Sequence, residues 1–158
     1  AILLCGILLF ATTGCNKTKE QTPEIKEADK CTVKPKVESQ IDIENTKVSL
    51  TLKEETLTNT GATFVLKNKS KNSITYGEPY WIEKEENGKW YVLETINDLV
   101  FNLPAYELKT NKSKELKIDF EYGYGKLASG KYRLVKKVTI DTKDNSEDLY
   151  VAAEFVVE

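Results

Sequence analysis

Over most of the chain, apolar residues recur at every second position in several short segments, and this period of two most constrains the fold. Val48, Leu50 and Leu52 alternate with polar neighbours, and the pattern returns at 62–66 and 116–120. Strict alternation over about four to eight residues is typical of a β-strand with one buried face. No long stretch has the 3.6-residue period of an amphipathic helix. The pattern predicts an all-β domain.

The turn signals between these segments predict how the strands connect. Asn87-Gly88 is the strongest of them, because both central residues of a type I′ turn need a positive φ. It predicts a hairpin that joins strands at 80–84 and 89–94. The segment 98–106 is apolar without clean alternation, and Pro104 would interrupt a strand ladder. We expect a covered crossover there, with one helical turn.

In total, the pattern predicts about seven strands, at the spacing of a β-sandwich. The strand segments are 48–52, 62–66, 80–84, 89–94, 116–120, 132–140 and 150–157. They predict a single sandwich domain over residues 46–158.

The segment YGKLASGKYRLVK, residues 124–136, has the form of a tyrosine corner. In this motif of immunoglobulin-like (Ig-like) sandwiches, the chain crosses between sheets, a tyrosine ring fills the gap and its hydroxyl bonds a backbone group upstream. Gly130 would allow the tight turn and Leu127 would anchor the crossing in the core. We therefore interpret Tyr132 as a structural residue and the fold as an Ig-like β-sandwich.

Three segments together resemble a family of bacterial Ig-like domains found in secreted and lipid-anchored proteins of Gram-positive bacteria. They are YGEPYWIEKEENGKWY at 76–91, the corner segment at 124–136 and YVAAEFVVE at 150–158. The shared features are a Tyr-Gly step, an acidic-lysine pair, a Gly-Lys-Trp return strand and the Gly-Lys-Tyr-Arg of the corner. The resemblance covers residues 46–158 and implies an Ig-like sandwich. It implies no catalytic or binding residues.

The first fourteen residues have the composition of a secretory signal. AILLCGILLFATT contains no charge, and it is shorter than the roughly 18 to 20 apolar residues that span a bilayer. Because a basic start is missing, we expect this signal, residues 1–14, to be truncated. Gly14-Cys15 resembles the lipobox of bacterial lipoproteins, although Thr12 stands where that pattern usually has Leu. The resemblance implies diacylation of Cys15, and ordinary cleavage with release or an uncleaved helix is the alternative.

The composition of residues 15–45 predicts a disordered tether that begins with the lipid-attachment cysteine. The segment mixes charges of both signs and, like other segments of low hydrophobicity, cannot bury enough apolar area to offset its ordering entropy. Cys31 lies in this tether, where a solvated thiol is favoured over a reactive thiol or an intermolecular bridge. The expected location is the extracytoplasmic face of the cell membrane, held by the lipid.

The composition excludes several kinds of chemistry. The chain has no histidine, which removes the commonest general base and zinc ligand, and its formal net charge of −2 argues against nucleic acid. Carboxylates at 141–148 invite a calcium site, but Lys143, Ser146 and Ala152 occupy positions where an EF-hand frame needs an oxygen ligand, Gly and Glu. Glu83, with its acidic neighbours, fits a solvated strand end. We predict no enzyme, no metal site and no cofactor.

Aromatic side chains on the predicted hairpin are the best candidates for a contact surface. Tyr80 and Trp81 are neighbours, as are Trp90 and Tyr91, and neighbouring strand residues face opposite ways. One member of each pair is therefore expected on the outer face, as a binding platform or as a shield for the sheet. The sequence predicts a lipid-anchored, non-catalytic binding or accessory module with an envelope protein or glycan as partner. The alternatives are an inhibitor or sensor of an envelope enzyme, such as a protease, and a carbohydrate-binding module.

Overall fold

The alternating segments form strands of two antiparallel sheets in the part of the chain that the computed structural model describes, residues 35–43, 47–142 and 145–158. The strands are β1 (Pro35–Glu38), β2 (Val48–Leu52), β3 (Gly61–Asn68), β4 (Ile74–Tyr76), β5 (Trp81–Glu86), β6 (Lys89–Leu93), β7 (Tyr106–Leu108), β8 (Ser113–Asp119), β9 (Gly130–Asp141) and β10 (Ser146–Val157). A 3-10 turn at Glu54–Thr56 and the four-residue helix α1 (Glu121–Tyr124) lie between strands.

The larger sheet has the order β1-β6-β5-β9-β4-β7, and β10 pairs with β9 along the whole of that long strand. The smaller sheet has the order β2-β3-β8. At the sides of the sandwich, β7 and β8 are therefore edge strands of different sheets. None of the helices in the described part of the chain is long and apolar enough to cross a membrane.

The core between the sheets is centred on aromatic rings. The Phe155 ring stacks on Phe120 at 5.5 Å and on Tyr132 at 5.7 Å, and meets Phe64 edge-on at 5.9 Å between centroids. Offset and edge-to-face ring pairs contribute about 0.5–1.5 kcal/mol beyond the area that they bury. All four rings are buried, and they join strands from both sheets. The predicted Ig-like, all-β sandwich is confirmed, with ten strands where about seven were expected.

The two local motifs have the predicted geometry. Asn87 and Gly88 have φ angles of 55° and 78°, and Glu86 pairs with Lys89 across the turn, as a type I′ hairpin requires. The Tyr132 hydroxyl donates a hydrogen bond to the Ala128 carbonyl at 2.7 Å, and its side chain is buried. A Cβ atom on Gly130 would lie 3.2 Å from the Lys84 Cε atom and 3.4 Å from the Tyr132 ring, so this corner favours glycine.

The structure corrects two expectations. The predicted disordered tether, 15–45, ends in an ordered segment, because β1 pairs with the edge of β6 and the Ser39 amide donates to the Trp90 carbonyl at 2.7 Å. The covered crossover with a helical turn at 98–106 is also wrong. This segment has no helix, and Val100 and Leu103 are 88% and 96% exposed, because the segment follows the open side of the sandwich. The predicted signal, Cys15 and Cys31 lie outside the described residues.

Candidate functional site

The four aromatic residues predicted as a contact surface separate onto two faces of the larger sheet. Tyr80 packs against the core, and Tyr91 lies opposite Lys84, on the face that Tyr132 occupies. Trp81 and Trp90 lie on the outer face. All four side chains are half-buried, so the outer face presents two partly covered indoles in place of exposed ones.

The outer face carries a group of polar and aromatic residues, here called the outer-face cluster: Ser39, Trp81, Glu83, Trp90 and Arg133. The solvated strand end expected at Glu83 is wrong, because its carboxylate is fully buried and accepts from the Arg133 Nε atom at 2.6 Å. Its other oxygen accepts from the Trp81 indole and from the Ser39 hydroxyl, both at 2.8 Å. The charge is therefore paired and hydrogen-bonded on every side, as a buried carboxylate requires.

The indoles of this cluster are covered by their neighbours. The Arg133 guanidinium lies 4.6 Å from the Trp90 ring centroid and the Lys131 ammonium lies 5.4 Å from it, which are cation–π distances. Tyr150 meets Trp81 edge-on at 5.8 Å. The ordered end of the tether therefore closes a saturated cluster. Glu83 of the Glu-Lys step and Trp90 of the Gly-Lys-Trp step have structural roles within it.

A second region leaves aromatic and backbone groups open. A groove of about 740 Å³, here called the β7–β8 groove, lies between the edge strands of the two sheets. Its walls are mainly aromatic and aliphatic, and Lys136 lines it from β9. The aromatic and aliphatic lining residues are Tyr76, Tyr80, Leu99, Phe101, Tyr106, Leu108, Leu116, Ile118 and Tyr122.

The backbone of β8 presents its unpaired side to this groove. Phe120 donates its amide to the Thr60 carbonyl at 2.8 Å, which puts even-numbered residues of β8 in hydrogen-bonded pairs with β3. Odd-numbered residues therefore direct their amides and carbonyls away from β3. The Asp119 carbonyl does so, because it accepts from the Tyr80 hydroxyl at 2.8 Å. Glu115 and Lys117 extend this edge, where no described strand pairs with β8.

An apolar loop, residues 94–105, borders one end of the groove. The Ile96 amide donates to the Gly123 carbonyl at 2.8 Å, and the Asn97 side chain donates to the Tyr122 carbonyl at 2.7 Å. Leu99 and Phe101 turn inward, and Phe101 meets Tyr80 at 5.5 Å. The loop is thus anchored, while Val100 and Leu103 remain in solvent. Sequence reasoning missed this surface, because an apolar segment without a period gives no facing direction.

Lys136 forms the floor of the groove, and it was also missed. Its ammonium donates to the carbonyls of Gly77, Glu78 and Pro79 at 2.9, 3.1 and 3.0 Å, and the residue is 2% exposed. Burial lowers the pKa of Lys136 to about 8, against a smaller opposing effect of Glu78. The available signal was a lysine at an inward position of β9, two residues after Leu134.

The arrangement of the groove suits contact better than chemistry. Burial raises the pKa of Tyr80 well above its usual value and that of Tyr124 to about 12, so these phenols stay neutral near pH 7. The Lys136 ammonium is committed to its three carbonyls. Among the described residues, no group of acidic, cysteine or histidine side chains is placed to hold a metal ion.

The carboxylates considered for calcium have other partners. Asp141 accepts from the Thr75 hydroxyl at 2.6 Å. Glu147 pairs with Lys47 at 2.6 Å, and Asp148 pairs with Lys137 at the same distance. These partners hold the carboxylates apart along the two strands.

Comparisons with known proteins agree with this architecture. A search of curated proteins found no match to the chain. The family described as "Bacterial Ig-like domain" matches residues 44–156, which include the two faces of the core, the outer-face cluster except Ser39, and the β7–β8 groove. The chain belongs to the bacterial Ig-like domain family.

Proposed function

We propose that this chain is a lipid-anchored, extracytoplasmic binding module that holds an extended segment of a partner protein along the β7–β8 groove. Ig-like domains of this kind are typically non-catalytic modules. The lipobox-like Gly14-Cys15 supports attachment to the outer face of the cell membrane. The open edge of β8 beside an exposed apolar loop is the observation that carries the binding role.

The chemistry of the groove favours a protein segment over a glycan. An unpaired strand edge offers alternating donors and acceptors at the pitch of a peptide, and an added strand uses all of them. Apolar walls would receive every second side chain of that strand. The indoles that could stack on a sugar ring are partly covered on the outer face, by Arg133 and Lys131 at Trp90 and by Tyr150 at Trp81.

The dimensions of β8 set the length of the segment. The strand has seven residues, which at about 3.3 Å each gives an edge of roughly 23 Å. A partner segment of about five to seven residues with alternating apolar positions would fill it.

A proline at position 117 tests the groove directly. Lys117 directs its amide to the open side of β8, so Lys117→Pro removes a donor that β3 does not use, and proline is tolerated at such edge positions. Lys117→Thr is the matched control, because it removes the same side chain and keeps the amide. Peptides of seven residues selected on the full chain should bind the wild type and the Thr variant, and binding by the Pro variant should fall at least about tenfold.

Two further measurements separate the parts of this proposal. Equal binding by the Pro variant would reject strand addition at β8. Attachment is tested by Cys15→Ser, which should move the chain from the membrane fraction to the soluble fraction and remove the acyl mass from its N-terminus. An unchanged distribution would reject the lipid anchor and leave the groove intact as a hypothesis.

A further inference from the structure

The end of the sandwich opposite the apolar loop is built from two turns that one buried asparagine joins. The turns are 69–73, between β3 and β4, and 109–112, between β7 and β8. Asn68 is 0% exposed, and its side-chain amide donates to the carbonyls of Asn72 at 2.8 Å and Leu108 at 2.9 Å. Its side-chain oxygen accepts from the Ser70 amide and hydroxyl at 2.9 and 2.7 Å.

The backbone of Asn68 completes this connection. Its amide donates to the Lys112 carbonyl at 3.0 Å, and its carbonyl accepts from the Asn111 amide at 2.9 Å. Every hydrogen-bonding group of one residue thus holds both turns in a fixed relation. Each turn carries lysines, so the asparagine fixes the spacing of charges that are distant in the sequence.

These two turns present four exposed lysines on one surface, here called the lysine end: Lys69, Lys71, Lys109 and Lys112. Lys47 lies beside them, because the Lys69 amide donates to its carbonyl at 2.8 Å. Within the described residues, none of the four forms an ion pair with a carboxylate. The nearby carboxylates of Asp141, Glu147 and Asp148 are bonded to Thr75, Lys47 and Lys137.

The chain carries this group although like charges without ion-pair partners repel each other. It has 23 basic and 25 acidic residues, which alternate elsewhere on the surface in exposed ion pairs such as Lys131–Glu154 and Lys89–Glu38. A fixed group of lysines on a chain with a net charge of −2 is complementary to an extended anionic surface.

We propose that the lysine end docks on the anionic headgroups of a lipid bilayer. This inference rests on the proposed attachment at Cys15. Pro35, where the first strand begins, lies twenty residue steps after Cys15, and these steps reach at most roughly 66 Å at about 3.3 Å each. The long strand β9 spans only about 40 Å by the same measure. The lysine end of every attached copy can therefore reach the bilayer.

This orientation has a consequence for the groove. Tyr80 and Asp119, with the apolar loop, lie at the end of β8 remote from the two turns. Docking by the lysine end directs that part of the β7–β8 groove away from the bilayer, where a partner can enter it. Each lysine attracts the bilayer only weakly. Attachment at Cys15 keeps the bilayer at a high local concentration, and this strengthens docking by the lysine end.

The test compares the full chain on vesicles of phosphatidylcholine alone and on vesicles with about one third phosphatidylglycerol. The patch variant replaces Lys69, Lys71, Lys109 and Lys112 with Gln. The control variant replaces Lys53, Lys89, Lys126 and Lys131 with Gln, which changes the net charge equally at positions away from this end and from the groove. Binding to the neutral vesicles measures insertion of the apolar N-terminal segment, which all variants share.

We expect the wild type and the control to bind the anionic vesicles at least about tenfold more than the neutral ones at about 0.1 M salt, and to lose this preference at about 1 M. The patch variant should lack the preference at both concentrations, and Arg at the same four positions should restore it. Equal losses in patch and control variants would overturn the proposal, as would no loss in either. A lysine-dependent affinity for soluble long-chain polyphosphate, without one for vesicles, would also overturn it.

Discussion

The outer-face cluster and the β7–β8 groove are both rich in aromatic residues, and they differ in what surrounds the rings. In the cluster, the Glu83 carboxylate has three partners and the Trp90 ring is covered by two cations. In the groove, the Tyr76 and Tyr106 rings lie 5.5 Å apart beside a strand edge that no described strand pairs. Among the residues that the structure describes, the first region is complete and the second is not.

This difference teaches that aromatic content alone does not mark a contact surface. Disrupting a buried and fully hydrogen-bonded carboxylate strongly destabilises a protein. Such a carboxylate is therefore typical of a structural cluster. Exposed apolar side chains on an anchored loop add little to stability, and large apolar patches mark interaction sites. The comparison therefore predicts large stability effects on the outer face and small ones at the loop.

The largest effect is expected from Glu83→Ala. The substitution leaves the buried Arg133 guanidinium without its carboxylate and the Trp81 indole and the Ser39 hydroxyl without their acceptor. We expect the free energy of unfolding to fall by about 3–5 kcal/mol, measured by urea denaturation.

The control for this prediction is Glu154→Ala, which breaks the exposed pair with Lys131. Such an exposed pair contributes little to stability, because water and salt screen it. Equal losses in the two variants would mean that the cluster is no more important to the fold than a surface ion pair, and the contrast between the two regions would fail.

Lys136→Met tests whether the floor of the groove is as firmly built as the cluster. The variant removes three hydrogen bonds to the turn at 77–79, together with a buried charge, so at pH 7 we expect a loss of about 1–3 kcal/mol in the free energy of unfolding. A loss in the free energy of unfolding below about 0.5 kcal/mol, the size expected for substitution of an exposed residue, would contradict this expectation.

The pH dependence of Lys136 has a definite sign. Burial lowers its folded pKa to about 8, from the ordinary value of 10.5. Between these values the unfolded chain binds more protons than the folded one, so stability rises with pH. From pH 8 to about 9, below the ordinary tyrosine pKa of about 10, the wild type should gain stability relative to the Met variant. Parallel pH profiles in the two proteins would refute the assignment.

A smaller effect is expected from Tyr132→Phe. The ring that stacks on Phe155 stays, and only the bond from the hydroxyl to the Ala128 carbonyl is lost. We expect a loss of about 1 kcal/mol, against about 3–5 kcal/mol for Tyr132→Ala, which also removes the ring. Similar losses in both variants would show that the corner depends on the hydroxyl more than on packing.

The sequence was sufficient for features that depend on local chemistry. A positive φ at Asn87 and Gly88 is a local requirement of the turn, and the alternation around Val48 and Phe64 follows from one buried face per strand. The tyrosine corner is likewise a short motif, and its bond spans four residues.

The features that could not be predicted depend on distant residues. Strand β1 has only four residues, its pairing with β6 joins residues 53 to 58 positions apart, and the bond from Ser39 to Glu83 crosses 44 residues. The Lys136 ammonium finds its carbonyls nearly 60 residues away. The groove arises where two edge strands of different sheets meet, which only the sheet order decides.

The smallest stability effect is expected at the apolar loop, and it separates the two regions most clearly. The double variant Val100→Ser, Leu103→Ser changes side chains that are 88% and 96% exposed, so the free energy of unfolding should stay within about 0.5 kcal/mol of the wild type. Binding of the selected peptides should weaken, because the loop borders the groove.

The contrasting variant is Leu99→Ser, at a half-buried neighbour that packs on the core. It should lower the free energy of unfolding by about 1–3 kcal/mol, because it truncates a side chain that packs on the core. If the double variant unfolded as easily as this one, the loop would belong with the closed side of the molecule. If it kept full affinity, the contact surface would lie elsewhere than at this loop.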